Sequence, residues 1–440
     1  MPSDEVSRET IAAIATPAGR GGIGVVRLSG AAVPEISQKL LGRLPAPRHA
    51  TVAVFRDARG ERIDEGLALY FPAPHSYTGE PVLELHGHGG PVVMQQLLAA
   101  CVGAGARLAE PGEFTCRAFL EGKLDLAQAE AVADLIDAAS REAARSALRS
   151  LSGEFSAAID ALKTELIELR ALTEAMLDFP EEDVDTVHRD DAASRLTGVQ
   201  AQLEEVLAKS RQGSLLRSGI HVVIAGRPNV GKSSLLNRLA GEERAIVTPI
   251  AGTTRDALRE PIQIEGVPLV VVDTAGLRAA SDIVEQLGIE RTQRELERAD
   301  LVLAVREAGV PDLPLEHLPA QAQRIDVYNK ADLAPGFRAP AGAIAVSAKT
   351  GQGLDLLRRA ILAAAGWTST GESVFLARER HLLALERARA HLETARAQLP
   401  RWEFFAEELR QAHVALGAIT GEFTADDLLG EIFSRFCIGK

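Results

Sequence analysis

No stretch of this chain constrains its fold as tightly as His221 to Ser234, HVVIAGRPNVGKSS. A short apolar strand runs into Gly226-Arg-Pro-Asn-Val-Gly231-Lys232-Ser233 and on into a helical pattern. That is the phosphate loop G-x-x-x-x-G-K-[ST] in the strand, loop and helix setting it requires, so an α/β domain is expected around it. The backbone N–H groups of such a loop, backed by the positive end of the following helix, make a cradle for phosphates. Asn229, Val230, Gly231 and Ser234 belong to that cradle, while Lys232 neutralises β/γ oxygens and Ser233 holds Mg²⁺.

Three further motifs follow, each at the end of an apolar run. Asp273-Thr274-Ala275-Gly276 comes after Leu269-Val-Val-Val272, where a carboxylate reaches the Mg²⁺ shell and the glycine admits backbone close to a γ-phosphate. Asn329-Lys330-Ala331-Asp332 ends another strand, and its aspartate can accept from the N1–H and 2-amino groups of guanine, which adenine does not offer. Ser347 and Ala348 begin a loop whose amides can face the base oxygen. Together the four resemble the translation-factor-like small GTPases, with GTP as substrate. Between the first two motifs, Thr248-Pro249-Ile250-Ala251-Gly252-Thr253-Thr254 occupies the place of a γ-phosphate-sensing loop. Thr254 is the expected Mg²⁺ ligand there and Thr253 a backbone contact. Leu277 follows the DTAG glycine, so the water-orienting Gln of Ras-like enzymes is missing. Asp282, Glu285 and Glu290 are the carboxylates near enough in sequence to replace it.

The 440 residues leave room for roughly three domains. A net charge of −13 argues against a generic polyphosphate binder, so any nucleic-acid contact needs a local patch or a partner. Cys101, Cys116 and Cys437 lie far apart with no metal spacing, which suits a reducing cytoplasm. MPSDEVSRET has neither a basic nor an apolar leader region, and no run approaches a membrane span.

In the first third, strands are predicted at Ile11 to Thr16, Gly24 to Leu28, Thr51 to Phe55, Gly66 to Phe71 and Val82 to Leu85, with a helix from about Val92 to Val102. This reads as a small α+β domain. Gly19 to Gly24 spells G-x-G-x-x-G, but Val25 to Leu28 is strand-like where a dinucleotide fingerprint needs a helix. Beside Glu84, His86 and His88 are only two imidazoles with no third ligand at a useful spacing for a metal, and a glycine-built turn is the expected role of that stretch. Pro111 to Lys123 reads as a polar loop with a short helix. From Leu126 to Leu177 long helices are predicted, with Leu148, Leu151, Phe155, Ile159, Leu162, Leu166 and Leu169 as a packing stripe. Helical spacing resumes at Leu196, Val199, Leu203 and Val206, stops at Gln212 to Gly219, and restarts at Leu385, Ala388, Leu392, Ala395 and Leu399. Helices on both sides of an intact nucleotide module predict an insertion into one all-α domain. The expected division is 1–120, 121–215, 216–372 and 373–440.

The chain closely resembles the tRNA modification GTPases of the MnmE/TrmE type. GRPNVGKSSLLN, IVTPIAGTTRD, DTAGLR with VEQLGIER, NKAD, AITGEF, the terminal FCIGK, ATPAGRGGIGVVR, VLELHGHGG and LDLAQAEAVADLI carry the likeness from end to end. The resemblance implies a folate-binding-like N-terminal domain that also holds a homodimer, and a K⁺-activated GTPase. It implies Asn229, Thr248, Ile250 and Thr253 as K⁺ ligands and Glu285 as the carboxylate that orients water. It implies Arg27, Glu84, Lys123 and Lys440 as contacts to a tetrahydrofolate derivative, 5-formyl- or 5,10-methylene-. A flavin (FAD)-dependent partner of the MnmG/GidA type, in a heterotetramer, and the wobble uridine (U34) of certain tRNAs are implied with them. Cys437 stands either as inert packing or as a reactive thiol beside the folate; as a prenylation box its Gly439 and Lys440 fit badly. The alternative is an Era-like ribosome assembly GTPase, which should carry a basic RNA-binding module; none is visible.

Overall fold

Alternating small and β-branched residues give the N-terminal segment its strands: β1 Ile11–Ile14, β2 Gly24–Ser29, β3 Thr51–Arg56, β4 Arg62–Phe71, β5 Val82–Gly87 and β6 Arg107–Leu108. In this computed structural model, which describes residues 9–178, 185–240, 262–273, 299–311, 322–368, 374–422, 426–434 and 436–439, they form one sheet in the order β3-β4-β5-β2-β1-β6. All its ladders are antiparallel except β1 with β6. Helices α1 Val33–Leu41 and α2 Pro91–Gly103 cover one face, where Val26, Leu28, Phe55, Leu83 and Leu85 pack with Ile36, Leu40, Met94 and Leu97. Gly24 opens β2, so the G-x-G-x-x-G spelling sits in a hairpin, as the strand-like residues after it predict.

The described chain divides into two compact units, Met1–Ala133 with His413–Lys440, and Asp134–Ala412. In the first, α3 Glu113–Leu120, the start of α4 Leu126–Ile136 and, much later in the chain, the helix Asp426–Ser434 share a small core of Phe119, Leu126, Ala129, Phe433 and Phe436. The last residues then run beside β1: Ile438 bridges to Pro111, and a Cβ at Gly439 would meet the Ile14 carbonyl at 2.5 Å.

The second unit is built on helices α5 Arg141–Leu151, α6 Glu154–Asp178 and α7 Asp185–Ser218, followed by a second sheet. That sheet comprises β7 Ile220–Gly226, β8 Ile262–Ile264, β9 Val267–Asp273, β10 Leu301–Glu307, β11 Gln323–Asn329 and β12 Ile344–Ala345, in the order β12-β11-β10-β7-β9-β8. Only β8 runs antiparallel to its neighbour. Helices α8 Lys232–Ala240 and α9 Leu354–Ala364 flank it, and α10 Glu379–Gln398 returns along α7. Helix α11, Trp402–Thr420, and α12, the Asp426–Ser434 helix, close the chain.

Three expectations change. The run from Leu126 to Leu177 is three helices, because Ser140 caps α5 by accepting from the Ala143 N–H and Gly153 breaks the next turn at φ +92°. The break resets the helical phase, so Leu148 of the predicted stripe is 56% exposed while Phe155, Ile159, Leu162, Leu166 and Leu169 are buried. Second, α7 does not stop at Gln212 but continues to Ser218. Third, β5 runs past the predicted end at Leu85 through His86 to Gly87, where a glycine turn was expected, and sets Glu84 and His86 opposite Arg27 and Val25 of β2. Among the described residues no helix is long and apolar enough to cross a membrane.

Candidate functional site

The C-terminal ends of the parallel strands converge at the phosphate loop, where open α/β sheets bind ligands. Asn229 and Gly231 take φ of +67° and +91°, which turns the loop's backbone back on itself. A Cβ at Gly226 would sit 2.4 Å from the Val305 carbonyl, so glycine there lets the loop leave β7 against β10. Lys232, at the first position of α8, is 9% exposed and donates to the carbonyls of Gly226 at 2.9 Å and Arg227 at 3.2 Å. The ladder pairs Ile224 with Asp273, which brings the backbone end of the DTAG strand to the same rim.

Asn329 ties the end of strand β11 to this loop. Its Nδ2 donates to the Val230 carbonyl at 2.9 Å and lies 3.4 Å from that of Gly231, while its Oδ1 accepts from the Ala348 N–H at 3.0 Å. The side chain is 1% exposed. Lys330 sits at φ +62° and pairs with Glu307 at 2.8 Å, and the Ser347 hydroxyl donates to Asp332 at 2.6 Å. The aspartate is thereby held by Ser347, and Asn329 joins that loop to the phosphate loop. Thr248, Pro249, Ile250, Ala251, Gly252, Thr253, Thr254, Thr274, Ala275, Gly276, Glu285 and Lys440 lie outside the described residues.

A second group gathers on the open face of the N-terminal sheet. Arg27 donates to Glu84 at 2.9 Å directly across the β2–β5 ladder, and His86 Nε2 meets the other carboxylate oxygen at 3.1 Å. The guanidinium lies 5.5 Å from the Tyr77 ring and 5.9 Å from that of Phe114, a favourable cation–π setting on two sides. Tyr77 is held in turn by its hydroxyl contact with Thr115 at 2.8 Å. Lys123 donates to the Pro74 carbonyl at 3.1 Å, and its Cγ would be 3.6 Å from a Cβ at Gly79. The segment from Pro74 to Glu80 therefore touches both Arg27 and Lys123. Sequence reading missed Tyr77 and Phe114, because nothing local links them to Arg27. Cys437 is exposed, whereas burial pushes the Cys101 thiol up to about 12 and that of Cys116 up to about 11.

The stretch Pro111 to Lys123 is more than a polar connection. Arg117, 4% exposed, clasps Glu80 at 3.0 Å and Glu113 at 2.8 Å, and Arg107 pairs with Glu113 at 2.7 Å. Burial alone would raise the Glu113 carboxyl; hydrogen bonds from Arg107, the Glu110 N–H and Arg117 outweigh it and hold the pKa below its ordinary 4.5. A carboxylate depressed in the folded state adds stability that is present above its unfolded pKa and lost as pH falls through the folded value. Acid titration of unfolding should therefore show stability dropping below pH 4.5, and Glu113→Gln should flatten that limb; an unchanged limb would refute the assignment.

A model described as the GTP-binding protein TrmE N-terminus matches residues 10–123, and one described as the MnmE helical domain matches residues 126–437. A curated protein of Azoarcus sp. strain BH72, named tRNA modification GTPase MnmE, is 63% identical over 98% of this chain and 98% of its own length. The chain belongs to the MnmE family of tRNA modification GTPases. Relatives of the same name from Dechloromonas aromatica and Thiobacillus denitrificans are 60% and 59% identical, the first over 98% of this chain and 99% of its own length, the second over 98% of each. The MnmE helical-domain match encloses the phosphate loop. Membership in the MnmE family also counts against an Era-like assembly factor. A crystal structure of Aquifex aeolicus Era is 27% identical over 39% of this chain and 65% of its own, with a TM-score of 0.24.

Proposed function

We propose that this chain hydrolyses GTP and couples that cycle to modification of tRNA at C5 of the wobble uridine. The observation that carries the reading is Asn329, whose buried amide joins the Asp332–Ser347 base loop to the phosphate loop. Such a tie supports one ligand that spans the base loop and the phosphate loop together. The residues fit a Mg²⁺–triphosphate: among the described residues the Lys232 ammonium donates to two loop carbonyls that phosphate oxygens can replace, and Ser233 lies in the first turn of a helix whose N–H groups favour an anion. Mg²⁺ would be held by Ser233 and Thr254, and K⁺ by Asn229, Thr248, Ile250 and Thr253, a bound cation adding positive charge beside the phosphates. Glu285 is the proposed water-orienting group in place of the missing Gln.

Arg27, Glu84 and Lys123 fit a tetrahydrofolate derivative as a paired guanidinium–carboxylate and a nearby ammonium, with Lys440 and Cys437 following a C-terminal run that passes β1. An anionic glutamate tail suits the two cations. The folate would supply the one-carbon unit of an aminomethyl-type group. A homodimer held by the 1–120 region, insertion of 216–372 between the helical parts 121–215 and 373–440, an FAD-dependent partner and a cytoplasmic setting complete the proposal.

GTP turnover with K⁺ replaced by Na⁺ at constant ionic strength is expected to fall at least about tenfold, or about 1.4 kcal/mol of transition-state stabilisation. Equal turnover in the two salts would remove K⁺ from the scheme. Nucleoside analysis of total tRNA from a strain lacking its own copy, with and without this chain, tests the outcome as a whole. Restoration of the missing wobble-uridine nucleoside supports it, and a nucleoside profile unchanged by the chain would refute it.

A further inference from the structure

The β8–β9 hairpin has an unusual tip. Ile264 pairs with Val267, leaving Glu265 and Gly266 as a two-residue turn with φ of +49° and +79°. Such a turn wants Asn-Gly or Asp-Gly and normally faces water. Here Gly266 is buried beneath the first turn of α5: a Cβ on it would lie 2.3 Å from Glu142 Oε2 and 2.7 Å from Glu142 Cγ. One residue behind the tip strand, the Gln263 side chain donates to the Ala139 carbonyl at 2.5 Å, just ahead of the Ser140 cap. Ala143 and Ala147 of α5 share a core with Ile262, Ile264, Val267 and Leu269 of the hairpin. The contact is thus apolar at its centre, with a hydrogen bond at its rim.

Helices α4 and α5 also hold the two ends of the nucleotide-bearing segment. Asp134, its side chain 7% exposed, accepts from Arg217 at the end of α7, two residues before Gly219 leads into β7. The same carboxylate accepts from Arg378 at 2.9 and 3.2 Å, where the chain comes back from the sheet. Ser150, on the far turn of α5, both accepts from the Leu376 N–H at 3.1 Å and lies 3.2 Å from the Leu376 carbonyl. Residues 134–151 therefore touch entry, exit and hairpin. Of the three, the hairpin is the attachment whose other end is chemical: β9 finishes at Asp273, and β8 and β9 join the stretches of sequence that carry GTTRD and DTAG.

Strand β9 runs unbroken from Val267 at the tip to Asp273, paired with β8 near the tip and with β7 up to Asp273, so the tip and the DTAG end belong to one element. We infer that the seat of the β8–β9 tip on α5 transmits nucleotide state to the helices, and that Glu142 and Gln263 are its positioning residues. The inference rests on the proposed coupling of GTP turnover to tRNA modification. Neither side chain belongs to the phosphate or base contacts, so loosening the seat should separate the two activities rather than stop both.

The test is the full-length chain carrying Gln263→Leu and Glu142→Ala together, assayed for GTP affinity, GTP turnover and restoration of modified nucleosides in total tRNA of a deletion strain. GTP affinity and turnover are expected within about twofold of wild type while modification falls at least about tenfold, within the usual range of coupling between sites. Gln263→Leu alone, which keeps the Glu142–Gly266 packing, should show a smaller split of the same sign. Leu148→Ala, on the exposed face of α5, should change neither activity. Wild-type modification in the double variant would overturn the inference. So would turnover that falls in step with modification, since the contact would then be mere scaffolding. A wild-type chain that hydrolyses GTP yet restores no nucleoside would instead overturn the function proposed above, and this inference with it.

Discussion

Replacing Asn329 by alanine is expected to weaken binding of GTP and GDP alike by at least about a hundredfold, or about 2.7 kcal/mol. The side chain is 1% exposed and serves three backbone groups: it donates towards the carbonyls of Val230 and Gly231 and accepts from the Ala348 N–H. Alanine restores none of these bonds, and each buried group left unpaired costs about 1–3 kcal/mol. Water reaching the gap would recover part of that, which is why the lower end of the sum is the expected loss. Neither nucleotide keeps its fit, because the amide sets the spacing between the two halves of the site rather than touching one phosphate. Asp332→Ala makes the contrast: it removes the proposed base contact and frees the Ser347 hydroxyl, but leaves the phosphate loop tied. Its defect should be partly relieved with nucleotides whose bases make fewer demands, whereas that of Asn329→Ala should be the same for all. Fluorescent-nucleotide titration of both variants is the measurement, and an Asn329→Ala chain within threefold or so of wild type would refute the tie.

The same residue shows where sequence reading works and where it ends. The phosphate loop, the DTAG strand and the NKAD strand are legible because each is a local pattern whose chemistry is set by neighbours in sequence. That Asn329 reaches Val230, 99 positions away, is invisible in either motif alone. The N-terminal sheet was legible in its alternation, since one face packs on α1 and α2, and the strand positions follow. The aromatic setting of Arg27 was not: Tyr77 comes from a loop and Phe114 from α3, and only the folded sheet brings both rings to one guanidinium. Leu148 misled because an apolar residue at the right spacing says nothing about a break between it and the next helix. Glycine misled most directly. In Gln212 to Gly219 it reads as a helix stop, yet α7 runs through Gly213 to Ser218.

Gly213 stays in the helix because another segment needs the room. A Cβ there would lie 1.5 Å from the Phe375 carbonyl oxygen and 2.6 Å from its carbon. The returning chain thus crosses α7 at backbone contact, next to the Leu376–Ser150 hydrogen bonds and the Phe155–Phe375 ring pair at 5.5 Å. Two effects of Gly213→Ala then oppose each other. Alanine improves helix propensity by about 1 kcal/mol. Against it, a backbone carbonyl must be pushed aside by more than 1 Å, and overpacking of this kind costs about 1–3 kcal/mol even when flexible side chains can yield. Here the obstacle is main chain, so the upper end applies and the clash wins. Gly198 of the same helix has nothing within 4 Å of its would-be Cβ. Gly198→Ala should therefore raise the thermal unfolding midpoint through propensity alone, while Gly213→Ala lowers it and loosens the returning segment at Arg378 from Asp134. Scanning calorimetry of the two variants separates the explanations, since a helix limited by propensity would gain from both substitutions and a helix crossed by another chain segment gains only from the first.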